Sequence, residues 1–476
     1  MFRKSATALA VLAALCHAAN AADDLKELRE QVRQLKEQYE QRIQALEKRL
    51  EQAEKSATTA ATQAGNAQVA AQQAAVQASS RPSGENAFNP ALSLILGGTY
   101  ANLSQDPARS RITGFVPSMG NPPPRRSFSL GESELAISAN IDPNFRGTGI
   151  FALTPDNELE IEEAYVQTLA LGRGFTAKAG RFLSAIGYQN EIHAHAWDFV
   201  DAPLVYKAFL GGPSGVDGVQ FSEDGVQLRW VAPTDIYFDA GLELGRGRSF
   251  PAGPDGGRNK NGLGAGNVFA HLGGDIGTST AWQAGLSYLS TSPQDRVYDD
   301  LDSTATTVTN RFSGALKLWT LSGVLKWAPN GNAYYNNFKL QGEYFRRNEQ
   351  GTLTYDTLAA SLGTQGDGLS TRQSGWYLQS VYQFMPQWRV GYRYDRLDAG
   401  TTRIGLVDSG TLTAADFPIL AGYNPNRNTL MTDWSPSEFS RIRLQFARDT
   451  SRRGATDSQV FLQYIMSLGA HGAHKF

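Results

Sequence analysis

The sequence predicts an all-β transmembrane barrel of about sixteen antiparallel strands, preceded by an N-terminal α-helical coiled coil. From residue 89 to residue 476, apolar and polar residues alternate along short segments, which is the period of a β-strand. Short turns alternate with long connections between these segments, as in bacterial outer-membrane barrels. Residues 1–22 combine a basic start, an apolar run and a small-residue cleavage site, and therefore predict a secretory signal peptide.

The composition argues against several other classes of protein. The chain has 476 residues, 41% of them hydrophobic, and a net charge of -2, so neither disorder nor a nucleic-acid partner is indicated. After residue 22, no apolar run approaches the roughly 18 to 20 residues that a transmembrane helix needs. The sequence has no Gly-x-Ser-x-Gly, no His-Glu-x-x-His and no phosphate-binding loop. We therefore expect neither an enzyme nor a bound cofactor.

Residues 23–55 form the predicted coiled coil. Apolar residues recur there at spacings of three and four: Leu25, Leu28, Val32, Leu35, Tyr39, Ile43, Leu46 and Leu50. A solitary helix would have nothing on which to bury these side chains, so self-association is favoured over a single solvated helix. Residues 56–88 are rich in Ala and Gln, and we interpret them as a tether between the coiled coil and the barrel.

The alternating segments give sixteen predicted strands, although fourteen or eighteen remain possible. The predicted strands are 92–103, 127–140, 146–154, 161–171, 175–182, 224–231, 235–245, 266–276, 280–290, 311–327, 337–347, 372–384, 387–397, 428–434, 438–448 and 458 to the C-terminus. An even number suits a closed antiparallel barrel, and sixteen strands enclose an aqueous lumen.

Arginines alternate with apolar residues in several of these strands. A charge that faces lipid costs about 2 to 4 kcal/mol, so the arginines should face a water-filled lumen. The predicted pore-wall residues are Arg181, Arg229, Arg389, Arg393, Arg441 and Arg443. A soluble sandwich with its charges outside would also alternate, but it would not explain the signal peptide.

The longest connection, residues 184–223, is predicted to fold into the lumen and to narrow the pore. Its polar residues are the predicted constriction: His193, His195, Asp198, Asp201 and Lys207. We expect Asp198 and Asp201 to lie across from wall arginines, so that their replacement by Asn changes ion selectivity with little change in thermal stability. A loop that caps the barrel from outside is the alternative.

Residues 160–191 carry a resemblance to a known family. Ala164-Tyr165-Val166 and Gly180-Arg181-Phe182 resemble a strand hairpin of the phosphate-selective porin O/P superfamily. The coiled coil and tether look like those of its DcaP-like trimeric porins, which implies a trimer with the coiled coils in the periplasm. The lysines are scattered, so the resemblance does not extend to a phosphate ladder. Phe476, after an apolar segment, resembles the signal that the barrel-assembly machinery reads.

These observations favour an outer-membrane porin, in contact with membrane lipid, for the diffusion of small anionic or zwitterionic solutes. One alternative is an outer-membrane receptor or transporter linked to zinc uptake, because His193 and His195 would point the same way in an extended segment. A further alternative is a structural outer-membrane anchor with a periplasmic coiled-coil tether.

Overall fold

The computed structural model describes residues 90–116, 123–131, 133–154, 158–211, 220–253 and 260–469, together with Glu30, 33–38, 40–45, 47 and 48. The chain divides into two units, Met1–Ala87 and Phe88–Phe476. The predicted signal peptide, the tether and Phe476 lie outside the described residues.

The second unit is built from strands that follow one another around a single sheet. Their bounds are β1 (Ala91–Leu103), β2 (Ser127–Leu130 and Ser133–Asn140), β3 (Phe145–Leu153), β4 (Leu159–Thr168), β5 (Phe175–Leu183), β6 (Ser222–Val231), β7 (Tyr237–Gly245), β8 (Ala265–Ile276), β9 (Thr280–Thr291 and Arg296–Leu301), β10 (Thr307–Trp327), β11 (Asn337–Tyr355), β12 (Gln365–Met385), β13 (Trp388–Ile404), β14 (Asn426–Ser437), β15 (Ser440–Asp449) and β16 (Asp457–Gly469).

The sheet closes into a barrel of sixteen antiparallel strands. It comprises eighteen hydrogen-bonded segments, and β2 and β9 are each interrupted once. Both halves of β2 pair with β1, and both halves of β9 pair with β10. The last strand returns to the first, with Ser93 opposite Gly469 and Leu103 opposite Gln459. Closure leaves no unpaired sheet edge, and the predicted antiparallel barrel is confirmed.

The outer face of the barrel wall is apolar and the inner face is polar, which is the reverse of a soluble protein. On β15, Ile442 and Phe446 are 38% and 47% exposed, whereas Arg443 and Gln445 are buried. The same alternation places exposed Leu, Val, Trp and Tyr side chains on the outside of most strands and Glu, Gln, Thr and Arg side chains inside. An apolar exterior around a polar interior suits a lipid environment, and the soluble-sandwich alternative is wrong.

Four neighbouring strands, β10 to β13, are longer than the sequence pattern predicts. β11 runs to Tyr355 and β12 begins at Gln365, although the pattern assigned 348–371 to a loop. In this extension the polarity inverts, with Leu353 and Tyr355 buried inside and Gln350 exposed outside. Because the apolar-outward pattern stops, the alternation that predicts a strand is missing there. The inward side chains form a second apolar core with residues of the long loops.

The first unit contains helical residues between 30 and 48. Leu35 and Ile43 are 54% and 51% exposed, and Arg33 pairs with Glu30 one turn away at 2.5 Å. Apolar side chains so exposed on a helix are available to a partner helix, but the coiled coil itself stays a prediction. In the part of the chain that the structure describes, every helix is too short or too polar to span a bilayer.

Candidate functional site in the barrel lumen

The connection between β5 and β6 (residues 184–221) is called the lumen loop here, and its described residues, 184–211, 220 and 221, lie inside the barrel. Glu343 on β11 accepts hydrogen bonds from the backbone N–H groups of Tyr188 and Gln189, at 2.9 and 3.1 Å, and from the Tyr206 hydroxyl at 3.0 Å. Two strands further along the wall, Asp395 on β13 accepts from the Leu204 N–H at 2.9 Å. Wall carboxylates thus satisfy loop backbone groups that would otherwise be buried without partners.

Gly187 makes this close approach to the wall possible. Its φ is +70°, and a Cβ at this position would lie 2.2 Å from Oε2 of Glu343. Only glycine adopts this left-handed backbone conformation without strain while leaving room for the carboxylate.

Apolar packing holds the middle of the lumen loop. A short helix, Leu204–Phe209, buries every side chain except that of Lys207. The Phe209 ring stacks on Phe345 of β11 at 6.0 Å and meets Phe115 edge-on at 5.6 Å. The loop is therefore seated on an apolar core inside an otherwise polar lumen.

The first half of the loop carries two histidines into a group of wall carboxylates. His193 Nδ1 lies 2.9 Å from Glu134 Oε1 and 3.1 Å from Glu162 Oε2, and its Nε2 lies 2.9 Å from Glu163 Oε1. His195 Nδ1 lies 2.8 Å from the other oxygen of Glu134. We call these five residues the histidine cluster.

A β-bulge explains how two consecutive glutamates of β4 both reach the lumen. In the pairing of β3 with β4, Ile150 faces Glu163 and Phe151 faces Ile161, so that Glu162 is the extra residue. A regular strand would have turned one of the two carboxylates outward, because successive side chains alternate. The bulge instead delivers both carboxylates to one imidazole.

The second half of the loop carries aspartates into a basic wall. Asp198 lies 3.0 Å from Lys339 Nζ on β11 and 3.0 Å from Arg389 on β13. Asp201 lies 2.8 Å from Lys207 Nζ and 3.2 Å from Arg393, and it also pairs with Arg427 on β14. We call these residues (Asp198, Asp201, Lys207, Lys339, Arg389, Arg393 and Arg427) the aspartate cluster.

The loop residues of the two clusters have pKa values that shift in opposite directions, upward for the histidine and downward for the aspartates. Burial disfavours the imidazolium of His193, but the carboxylates, led by Glu134, outweigh it and raise the pKa of His193 well above its ordinary value. Burial likewise opposes ionisation of Asp198, but Lys339 and Arg389 outweigh it and lower the pKa of Asp198. For Asp201, burial is outweighed by Arg427, Lys207 and Arg393, and its pKa is lowered as well.

Two cavities flank the lumen loop. The turn-side cavity, about 1050 Å³, lies near the short turns and is lined by His193, His195 and Asp198. The loop-side cavity, about 990 Å³, lies near the long connections and is lined by Leu204 and Lys207. The turn-side cavity is lined by charges of both signs: the acidic residues Glu134, Glu191, Asp198 and Glu438, and the basic residues Arg146, Lys326, Lys339, Arg389 and Arg441.

Most of the predicted site residues face the lumen. Arg389 and Arg393 contact the aspartates, Arg443 donates to the Trp197 carbonyl at 2.8 Å, and Arg441 donates to the His195 carbonyl. Arg229 pairs with Glu191 of the loop at 2.8 Å.

Arg181 is the exception, and its assignment to the pore wall is wrong. It shares the outward parity of Ala177 and Ala179, which line an apolar groove on the outer surface of the barrel. There it pairs with Asp224 on β6 at 2.7 Å. Two buried residues, Phe182 and Leu183, follow it and obscure the alternation in the sequence.

The sequence reasoning missed the wall partners of the loop. Glu134, Glu162 and Glu163 were not singled out, although the adjacent pair in an otherwise alternating strand is a signal for a bulge. Lys339 and Arg427 carry no local signal that would relate them to the loop.

Comparisons with known proteins add one relative in sequence. No family model matches the chain. A protein of Aquifex aeolicus (strain VF5), described only as uncharacterized, is 28% identical over 422 residues, which cover 83% of this chain and 81% of the relative.

Several solved outer-membrane proteins are similar in structure at low sequence identity. A loop-deletion mutant of OmpT of Vibrio cholerae has a TM-score of 0.48 at 11% identity and covers 80% of this chain and 99% of its own. An anion-selective porin from Comamonas acidovorans has a TM-score of 0.47 at 12% identity, with 80% and 99% covered. The outer-membrane channel DcaP of Acinetobacter baumannii has a TM-score of 0.44 at 11% identity, with 80% and 97% covered.

Proposed function

We propose that this protein is an outer-membrane porin, a passive channel whose lumen is narrowed by the lumen loop. The observation that carries the proposal is a loop seated across the interior of a closed barrel whose outside is apolar and whose inside is polar. Such a wall suits a bilayer, and such a loop leaves cavities of about 1050 and 990 Å³ on its two sides.

The solutes that this lumen favours are small anionic or zwitterionic molecules. The turn-side cavity is lined by carboxylates, among them Glu134, and by Lys339, Arg389 and Arg441, so a solute there experiences the field of charges of both signs. A field of that kind orients a molecule that carries both signs of charge and gives an anion a basic surface to follow.

The N-terminal region completes the proposal. The exposed Leu35 and Ile43 support a coiled coil, and three such helices in the periplasm would hold three barrels together. The layout resembles the DcaP-like trimeric porins of the phosphate-selective superfamily. Deleting residues 23–80 should leave barrels that still insert but sediment as smaller assemblies than the full chain in mild detergent.

Conductance through planar bilayers tests the channel. The full chain should form discrete conducting steps, and excision of residues 195–216 should raise the conductance of each step because it removes the material that fills the lumen. Excision of 359–363, at the exposed connection between β11 and β12, is a matched control that should leave the conductance unchanged.

Two results would contradict the proposal. A full chain that inserts without conducting would exclude a channel. An excised protein that conducts like the full chain would mean that the lumen loop does not set the constriction.

A further inference from the structure

The histidine cluster contains more carboxylates than its hydrogen bonds can use. His193 Nδ1 carries at most one proton, yet oxygens of both Glu134 and Glu162 lie within about 3 Å of it. Glu134 is 3% exposed, and its Oε1 at 2.9 Å has to share the single Nδ1 proton with Glu162 Oε2 at 3.1 Å, so one of these two buried oxygens lacks a full hydrogen bond. A buried carboxylate oxygen without a hydrogen bond is costly unless another group occupies its lone pairs.

We propose that Glu134, Glu162 and His193 bind a divalent transition-metal ion of the Zn(II) class. The three ligand atoms lie within 4.8 Å of one another. Zinc takes imidazole nitrogen and carboxylate oxygen at about 2.0 to 2.2 Å, which places tetrahedral ligands about 3.4 Å apart. The separations of 2.9 and 3.1 Å from Nδ1 therefore need to widen by only a few tenths of an ångström.

Glu163 supplies the orientation that a metal-binding histidine requires. Its Oε1 lies 2.9 Å from His193 Nε2 and accepts the Nε2–H, so a metal ion that displaces the Nδ1 proton would find the Nδ1 lone pair beside Glu134 and Glu162. A carboxylate behind a metal-bound imidazole is a common arrangement because it fixes the tautomer and the ring orientation. Glu163 is thus a positioning residue and not a ligand.

A path for the ion is also present. His195 Nδ1 lies 2.8 Å from Glu134 Oε2 and so helps to position this carboxylate. Glu134, His193 and His195 all line the turn-side cavity, through which a hydrated ion could reach them. Among the described residues, no Lys or Arg forms an ion pair with Glu134 or Glu162, so a metal ion that replaced the His193 proton would compete with neither of these side chains.

His271, a buried histidine of the barrel wall, shows what the histidine cluster has in addition. His271 Nδ1 lies 2.8 Å from Asp239 Oδ1, but the second oxygen of Asp239 is 3.4 Å from Arg229 Nε. An arginine there neutralises the single carboxylate, so this pair offers one acidic ligand where the histidine cluster offers two. His271 therefore provides a matched control for a buried histidine.

The site goes beyond the proposed channel. A metal ion at this position would link His193 of the lumen loop to Glu134 on β2 and Glu162 on β4. It would therefore hold this part of the loop against the wall. Conduction does not depend on it, since the aspartate cluster and the apolar core hold the rest of the loop.

Titration of Zn(II) into the metal-stripped, tag-free full chain in detergent tests the proposal. Calorimetry should show one ion bound per chain with a micromolar or lower Kd, and Co(II) should give the visible absorption of a tetrahedral nitrogen and oxygen site. Glu134→Gln and Glu162→Gln should each weaken binding at least 100-fold. Glu163→Gln should weaken it about 10- to 100-fold, whereas His271→Asn should bind like the unmodified chain.

Bilayer conductance of each variant establishes that it has folded, and it is measured without metal. Should a variant fail to fold, X-ray absorption of the Zn(II)-loaded full chain still decides, because the site requires imidazole scattering in a shell without sulfur. An absence of saturable binding, or equal affinities in Glu162→Gln and His271→Asn, would overturn the metal site. Neither result would affect the channel proposal, which rests on conductance alone.

Discussion

The histidine cluster and the aspartate cluster hold neighbouring parts of one loop by opposite arrangements of charge. In the first, the loop supplies His193 to wall carboxylates. In the second, the loop supplies Asp198 and Asp201 to wall Lys and Arg side chains. Guanidinium and carboxylate groups keep their charges throughout the physiological range, whereas an imidazole needs a proton or a metal ion to join carboxylates. One side of the loop is therefore anchored permanently and the other conditionally.

The largest effect that this comparison predicts is the loss of Asp201. The side chains of Arg393 and Arg427 are 1% and 0% exposed, so Asp201→Asn leaves two buried guanidiniums without the carboxylate that they share. Breaking a buried ion pair costs about 3 to 5 kcal/mol, and we expect the lower end because Asp395 and Asp449 remain near these arginines. Urea unfolding in detergent measures the change. This expectation replaces the one drawn from the sequence, which treated Asp201 as a solvated pore charge.

Asp224→Asn is the control for this loss. Asp224 also pairs with an arginine, but the two side chains are 33% and 25% exposed on the outside of the barrel. Exposed ion pairs contribute about 0 to 1 kcal/mol. If the two substitutions lowered the free energy of unfolding equally, the buried ion pairs of the aspartate cluster would contribute no more to stability than the exposed pair of Asp224.

A smaller effect is expected on ion selectivity when Asp198 is replaced. Asp198→Asn leaves Lys339 and Arg389 facing the turn-side cavity with one negative charge fewer. A unit charge about 4 Å from a permeating ion contributes about 1 kcal/mol in water, with opposite sign for an anion and a cation, which is about fivefold for each ion and about 30-fold in the ratio of their permeabilities. The reversal potential in asymmetric KCl should therefore shift toward anions. The change in the permeability ratio calculated from it should not exceed that factor.

Glu438→Gln removes the same charge from the rim of the same cavity, where Glu438 lies beside the turn between β14 and β15. Because charges in open water are screened over about 8 to 10 Å, its shift should be smaller than that of Asp198→Asn. A larger shift for Glu438→Gln would place the selective region at the rim instead of at the lumen loop.

The sequence was sufficient for the barrel but not for the contacts within its lumen. Period-two alternation and turn lengths determine strand number and facing wherever one face meets lipid, as on β15 with Ile442 and Arg443. They fail where that contrast disappears, as in the polar outer extension of β11 and at the outer end of β5, where Arg181 faces outward. The partners of His193 come from β2 and β4, and which strands face each other across a lumen is set by closure, not by local pattern.

The smallest expected effect is that of mild acid on the aspartate cluster. A carboxylate whose pKa is lowered in the folded state contributes stability above its ordinary pKa, about 3.9 for aspartate, and loses it only as the pH falls through the lowered value. Since the pKa values of Asp198 and Asp201 are both lowered, the cluster should stay intact between pH 7 and pH 4. Hydrogen exchange of residues 198–209, corrected for intrinsic rates, should show unchanged protection over that range. If protection falls before pH 4 is reached, the arginine contacts do not hold these carboxylates in their charged form. The aspartate cluster would then not be a permanent anchor of the lumen loop.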